Sequence, residues 1–255
     1  MERKTIWLTE TTVKTYETDF LGKWKPASFI QNMIEAATEH AAHLGFDYPS
    51  LLEKDMVWVL ARFKIQISAY PTVGQKVVIK TWPKGIHQRL FFLRDFDLRN
   101  AEGGLLAVAT FAWLVISPNA RRILPPQAIL QAFGTSVPDN GGLSALDEPL
   151  EKINAPDGLP ERLTITARYS TVDMLGHATA SRYVEWVCDC FAQEEYRQRS
   201  LAWLQINYIN ETRPGERLLI CAGADSGSPE RWLAQGTNLD TELKSFEAAL
   251  GWNNI

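Results

Sequence analysis

The chain has 255 residues, 45% of them hydrophobic and 22% charged, and a formal net charge of −4. That length supports one large domain or two small ones with a substantial core, and the composition is globular rather than disordered. The negative balance argues against broad nucleic-acid binding, which needs a basic footprint, but leaves room for a local basic patch that docks one acidic protein.

The first residues, MERKTIWLTE, are charged and hold no apolar run of signal-peptide length. No segment approaches the ~20 apolar residues that a membrane span needs. A soluble, cytoplasmic protein is expected, with no membrane partner. Pro26 suits a helix start, and Ile30, Met33, Ile34, Ala37, Ala41 and Leu44 follow at helical spacing until Gly45 caps the run. Residues 57–68, VWVLARFKIQIS, then alternate. Val57, Val59, Ala61, Phe63, Ile65 and Ile67 share one face, and Arg62, Lys64, Gln66 and Ser68 share the other. Period two predicts a half-buried strand. Further strands are predicted from Val77 to Trp82, Leu90 to Leu98 and Leu105 to Ile116, the last almost wholly apolar and suited to the middle of a sheet. The first half thus reads as strand, helix and four strands in meander order, an α+β plan with one long helix on an antiparallel sheet.

Residues 118–160 change character, with eleven prolines and glycines among them and a short candidate helix from Ala128 to Phe133. This stretch is read as the connection, giving an N-terminal domain over 1–120, a linker over 121–158 and a C-terminal domain over 159–255. The second half repeats the plan. Leu163, Ile165, Ala167 and Tyr169 alternate, Tyr183, Val184, Val187, Cys188 and Phe191 form a helical stripe, and four more strands are predicted near 201–212, 217–224, 231–236 and 242–252. A short internal repeat joins the halves. YETDFLGKWKPASF (16–29) and YSTVDMLGHATASRY (169–183) align Asp19 with Asp173, Leu21 with Leu175 and Gly22 with Gly176, which indicates duplication.

Chemistry concentrates in 173–186, DMLGHATASRYVEW, where an aspartate, a glycine and a histidine crowd the start of a helix. Unpaired backbone N–H groups there carry partial positive charge and can hold an acyl carbonyl oxygen as it becomes an oxyanion. A carboxylate or imidazole alongside can activate water. Plainer readings fit the same spacing. Asp173 suits a turn or cap, His177 a structural histidine, and Glu211, in INYINETRPGE, a solvated residue near a strand end. Glu35, Glu39, His40 and His43 lie on one predicted helix, and a metal pair at His40 and His43 is geometrically possible. Without an HExxH pattern they read as a solvated face, and no metal is expected. Arg121 and Arg122 read as a basic strand end. The three cysteines, Cys188, Cys190 and Cys221, have no metal or redox spacing and read as small buried apolar residues. There is no GxSxG elbow or phosphate-binding glycine loop.

Taken together, these segments resemble the acyl-acyl carrier protein thioesterases. The resemblance runs through VKTYETDFLGKWKP, WVLARFKIQISAYPTVGQKVVIKTWP, LFFLRDFDLRNAEGGLLAVATFAWLVI and ARRILPP in the first half. In the second it rests on DMLGHATASRYVEW and INYINETRPGE. It implies a double hotdog, two tandem domains in which an antiparallel sheet wraps a long helix, and hydrolysis of fatty acyl thioesters on acyl carrier protein without a cofactor. By the family's Asp-x-Asn-x-His-Val-Asn-Asn motif and its later Tyr-x-x-Glu, Asp173, His177 and Glu211 take the catalytic positions. Glu211 would be the general base, alone or with His177, and Asp173 would orient His177 or the water. The Gly176 and His177 amides would receive the oxyanion. Thr212 stands where plant members often carry cysteine, so no cysteine nucleophile is implied.

The motif's first Asn falls on Leu175, which can neither donate nor accept a hydrogen bond, and its Asn-Asn pair on Thr179 and Ala180. Thr179 is an auxiliary hydroxyl candidate. The N-terminal half carries Lys23 in place of the histidine and is expected to shape the acyl pocket, with Met33, Ile34 and Phe63 as lining candidates. The partner implied is acidic acyl carrier protein, bound by a monomer or a homodimer. An acyl-CoA thioesterase and a non-catalytic acyl-binding protein remain as alternatives.

Overall fold

The structure is a computed structural model that describes residues 4–254. The chain gathers into two compact bodies. The first takes the residues up to Trp24 together with Gln31–Phe63 and Ser68–Leu150, and the second takes Lys25–Ile30, Lys64–Ile67 and the chain from Glu151 onward.

The first body contains β1 (Trp7–Thr12), a 3₁₀ turn (Thr15–Glu17), most of α1 (Pro26–His43), α2 (Tyr48–Leu52), most of β2 (Val57–Ile67), β3 (Lys76–His87), β4 (Phe91–Asn100), β5 (Leu105–Ser117), β6 (Arg122–Leu124) and α3 (Pro126–Ala132). The second contains β7 (Glu161–Thr166), a 3₁₀ turn (Tyr169–Thr171), α4 (Ala180–Cys188), α5 (Gln193–Gln198), β8 (Arg199–Tyr208), β9 (Arg217–Asp225), β10 (Ser228–Asn238) and β11 (Lys244–Asn254). Strand order is β1-β3-β4-β5-β2 in one and β7-β9-β10-β11-β8 in the other, the same path twice. The expected meander is corrected in one respect. β3, β4 and β5 follow as hairpins, but β2 lies beside β5 rather than β3.

The elements follow from their residues. Along β2, Leu60, Ala61, Phe63, Ile65 and Ile67 are buried while Arg62, Lys64 and Gln66 are half-buried. The helix α1 turns Met33, Ala36, Ala37 and His40 inward, and the turn beyond its end at His43 places Gly45 at a φ of +89° that suits a residue without a side chain. The Phe46 amide reaches back to the Ala41 carbonyl at 2.8 Å and closes the cap. Phe63 and Phe96 pack at a tilt against Phe111 in the first core, at centroid distances of 5.4 and 4.5 Å. In the second, Tyr183 meets Tyr208 and Phe246, each at 5.3 Å. Gly236 is required there, because a Cβ would stand 2.2 Å from the Phe246 ring. The stripe expected through Phe191 is shorter than its pattern. The helix α4 stops at Cys188, half the length of α1, and Phe191 lies beyond it against Trp232 and Trp252. All three cysteines are free. Cys190 is buried, whereas Cys188 and Cys221 are partly exposed.

The connecting stretch is fastened along its length. In the first body, buried Asp95 accepts from the Ala145 amide at 2.7 Å, from Thr110 Oγ1 at 2.5 Å, and pairs with Lys84 at 3.2 Å. Burial pushes the Asp95 carboxyl above the usual range, and these partners hold it against that shift. In the second body, Glu247 accepts from the Ala155 amide at 3.1 Å and from Lys244 at 2.6 Å, while Gln205 and Asn207 both donate to the Glu151 carbonyl.

The expectation of a solvated helix face at Glu35, Glu39, His40 and His43 fails at His40, which is fully buried. Its Nε2–H donates to the Lys4 carbonyl at 2.8 Å, so its Nδ1 accepts from Arg94 Nη1 at 2.9 Å. Burial first, and the Arg94 charge second, hold the imidazole down to about 4 from an ordinary 6.5. Below 6.5 the unfolded chain takes up a proton that the folded chain refuses until near 4. Stability from this site is therefore complete above pH 6.5 and falls as pH drops toward 4, by on the order of 3 kcal/mol. His40→Gln keeps a donor for Lys4 and an acceptor for Arg94 but cannot titrate. Urea denaturation from pH 7 to 4 should give a flatter stability curve for it than for the wild type.

Candidate active site

The second body assembles the site from two loops. The first runs from the 3₁₀ turn into α4. Gly176, at φ +80°, closes a tight turn in which its amide donates to the Asp173 carbonyl at 3.0 Å. Asp173 Oδ1 accepts from the Leu175 amide at 2.9 Å, and the Asp173 amide donates to the His177 carbonyl at 3.0 Å. The second loop follows β8. The Ala178 amide donates to the Thr212 carbonyl at 2.9 Å and docks that loop against the turn.

This docking brings His177 and Glu211 together. His177 Nε2 lies 2.8 Å from Glu211 Oε2, with the side chains 37% and 43% exposed, so solvent reaches the pair. The other carboxylate oxygen, Oε1, accepts from Arg213 Nε at 2.9 Å and Nη2 at 2.5 Å. Beneath them, Thr212 is fully buried, and its Oγ1 accepts from the Tyr183 hydroxyl at 3.0 Å and lies 3.4 Å from Ser245 Oγ. Tyr208 donates to the Ala180 carbonyl at 2.8 Å and pins the first turn of α4. Burial raises both phenols above their ordinary range, so both stay protonated as donors.

The sequence expectations divide here. The pairing of His177 with Glu211 is present. The Asp173 carboxylate does not reach the imidazole but is engaged in its own turn, and it places His177 through the backbone. The Gly176 amide is spent inside that turn, because the helix begins only at Ala180, so it is not an oxyanion donor. Among the described residues no acceptor bonds the His177 amide, whereas its counterpart, the Lys23 amide, is held by Asp19 Oδ1 at 3.0 Å. Thr179 Oγ1 sits 3.4 Å from the Thr171 carbonyl, a long contact. Leu175 is 39% exposed at the turn. Met33 and Phe63 are fully buried and Ile34 is half-buried. Arg213 was not anticipated.

The first body repeats most of this corner's bonds. Trp24 to Pro71 matches Ala178 to Thr212, Val13 to Gln75 matches Ala167 to Glu216, and Gly74 to Val13 matches Gly215 to Ala167. Thr72 N–H on Gln75 Oε1 matches Arg213 N–H on Glu216 Oε2. Lys23 and Tyr70 therefore stand where His177 and Glu211 stand. Aligning INYINETRPGE with ISAYPTVGQ would have revealed this, but only once the turn offered an anchor.

Two copies of one strand path, each with a helix set against an antiparallel sheet, define an α+β double hotdog. The profile of the acyl-ACP thioesterase N-terminal domain matches residues 4–129 and that of the C-terminal domain residues 155–249, and the chain belongs to this family. It is similar to a chloroplastic acyl-[acyl-carrier-protein] hydrolase of Cuphea viscosissima, 24% identical over 187 residues that cover 70% of this chain and 45% of that protein. It is also similar to the oleoyl-acyl carrier protein thioesterase of Coriandrum sativum, 25% identical over 78% of this chain and 57% of that one. The chain spans about half the length of the curated relatives it matches. Its fold matches the crystal structure of an acyl-ACP thioesterase from Bacteroides thetaiotaomicron with a TM-score of 0.80, 24% identity and 98% of each chain covered. It matches the 12:0-ACP thioesterase of Umbellularia californica with a TM-score of 0.81, 20% identity and 100% of each chain covered.

The Thr212 hydroxyl is the testable support of the corner. Thr212→Val leaves the buried Tyr183 hydroxyl without its acceptor and should lower unfolding free energy by about 1–3 kcal/mol in urea, while Thr212→Ser recovers most of it.

Proposed function

We propose that this chain hydrolyses fatty acyl thioesters of acyl carrier protein to free fatty acid and carrier protein. The observation that carries the reading is the 2.8 Å contact between His177 Nε2 and Glu211 Oε2 at the positions of the family's histidine and glutamate. With Nε2–H donated to Glu211, the Nδ1 lone pair is the base. Both Glu211 oxygens are engaged, which favours Glu211 as the group that orients the imidazole and stabilises its cation rather than as the general base. Nδ1 takes a proton from water as the oxygen attacks the acyl carbon. The oxyanion meets the His177 amide, with the Thr179 hydroxyl as a second donor. Collapse breaks the carbon–sulfur bond, and the imidazolium returns its proton to the departing thiolate. Asp173 holds the turn in register.

The N-terminal domain (1–120) supplies the acyl pocket in this reading, joined through 121–158 to the catalytic C-terminal domain. Catalysis without a cofactor, a cytoplasmic location and a monomer or homodimer go with it. No helix among the described residues is long and apolar enough to cross a membrane. The alternative of a non-catalytic acyl-binding protein rests on Leu175, whose apolar side chain occupies the position of the family's first Asn. An acyl-CoA thioesterase would share the site and differ in the thiol partner.

Fatty acid release from carrier-protein and CoA thioesters of medium and long chains separates these readings. His177→Ala should lower kcat by ~10²–10⁴-fold, and Glu211→Gln should lower it without abolishing binding. Bound carrier protein with no release from any thioester would sink the enzyme and favour the binding protein. For the pocket, Ile34→Phe and Met33→Phe should shift preference toward shorter chains; an unchanged profile in both would remove the first domain from chain selection.

A further inference from the structure

The loop after β8 carries more charge than its fold requires. Its counterpart in the first body forms the same backbone bonds with Tyr70, Thr72 and Gln75 where the second body has Glu211, Arg213 and Glu216. Folding this corner thus needs a side-chain oxygen at the last position and no ionised group at the other two. The charges at Glu211 and Arg213 are extra, and their geometry is ordered. Asn238, buried at the end of β10, donates from Nδ2 to Glu216 Oε2 at 2.8 Å, and its own Oδ1 is fixed by the Asp240 and Thr241 amides. The same Glu216 oxygen accepts from the Arg213 amide at 2.7 Å. Arg213 then turns its guanidinium back and places Nε and Nη2 on Glu211 Oε1. Only Oε2 is left facing His177.

We infer that Arg213, anchored through Glu216 to Asn238, is a positioning residue that locks the Glu211 carboxylate in the orientation that holds His177. The inference rests on the proposed hydrolysis for its purpose, though not for its geometry. Glu211 is 43% exposed, and an unheld glutamate at such a site samples several rotamers. Each departure from His177 frees Nε2–H and lets the imidazole rotate or exchange tautomers. Holding Oε1 removes those states. The energy of the surface ion pair itself is small, so the effect lies in orientation rather than in fold stability.

The test uses the full chain labelled with ¹⁵N-histidine. The sequence has four histidines, so loss of one signal in His177→Gln assigns the spectrum. Arg213→Thr puts the first body's residue at this place and should melt with the wild type. In long-range ¹H–¹⁵N spectra the wild-type His177 should show the Nε2–H tautomer, and Arg213→Thr should show a mixture. With acyl carrier protein thioesters, Arg213→Thr should lower kcat by about tenfold, the scale at which partners one step from a reacting group act, with KM little changed. Arg213→Lys, which keeps a donor charge, should recover part of both. A His177 spectrum unchanged by Arg213→Thr overturns the inference, whatever the rate does. A tautomer that responds to Arg213 in a chain that releases no fatty acid upholds the positioning and removes only the reaction.

Discussion

The Ala178 amide donates to the Thr212 carbonyl at 2.9 Å, and the chemistry of the second body hangs on that bond. It ties a turn to a loop that stands more than 30 residues later in sequence. His177 precedes the donor and Glu211 precedes the acceptor, so one backbone contact fixes the spacing of the two side chains. The buried hydroxyls of Tyr183, Thr212 and Ser245 stiffen the same joint from below. Such a joint can be kept while the side chains beside it change, because its bonds are made by the main chain.

The first body records that freedom. It retains the joint, as Trp24 on Pro71, and the aspartate-to-glycine turn, with Asp19 and Gly22 where the second has Asp173 and Gly176. Yet it carries Lys23 and Tyr70 in the paired positions. The two turns also differ in one amide. Lys23 N–H is held by the Asp19 carboxylate, whereas the same group of His177 is left to meet something else. The two bodies share one scaffold and differ in the side chains set on it.

Much of this could be read from the residues, for identifiable reasons. Alternation along 57–67 and the almost wholly apolar run of 105–116 pointed to strands because burial on one face or two imposes those patterns. Asp173, His177 and Glu211 could be named because a family motif falls on them, not because their spacing demands it. Strand order was less legible. Pairing β2 with β5 depends on how the sheet wraps its helix, and local periodicity is blind to that. The burial of His40 was hidden because a histidine three residues from another on a polar-looking helix resembles a wet face, and its partner Arg94 comes from a distant strand. Arg213 was missed for a related reason. Its value lies in a carboxylate two residues back, reached by a side chain folding on itself, and a lone arginine near a Pro-Gly turn has no distinguishing pattern.

The fastened connection between the bodies bears on how such chains can be recombined. Asp95 grips Ala145 and Arg62 reaches the Leu150 carbonyl, while Gln205 and Asn207 take the carbonyl of Glu151 and Glu247 takes the amide of Ala155. The allegiance of the strand-less segment switches between two adjacent residues. A hybrid that joins the front of one homologue to the back of another would keep every grip with its own partner only if the crossover falls at the Leu150–Glu151 peptide. A seam set by convenience at the end of α3 would carry Ala145 away from Asp95 and leave that buried carboxylate facing a stranger's backbone.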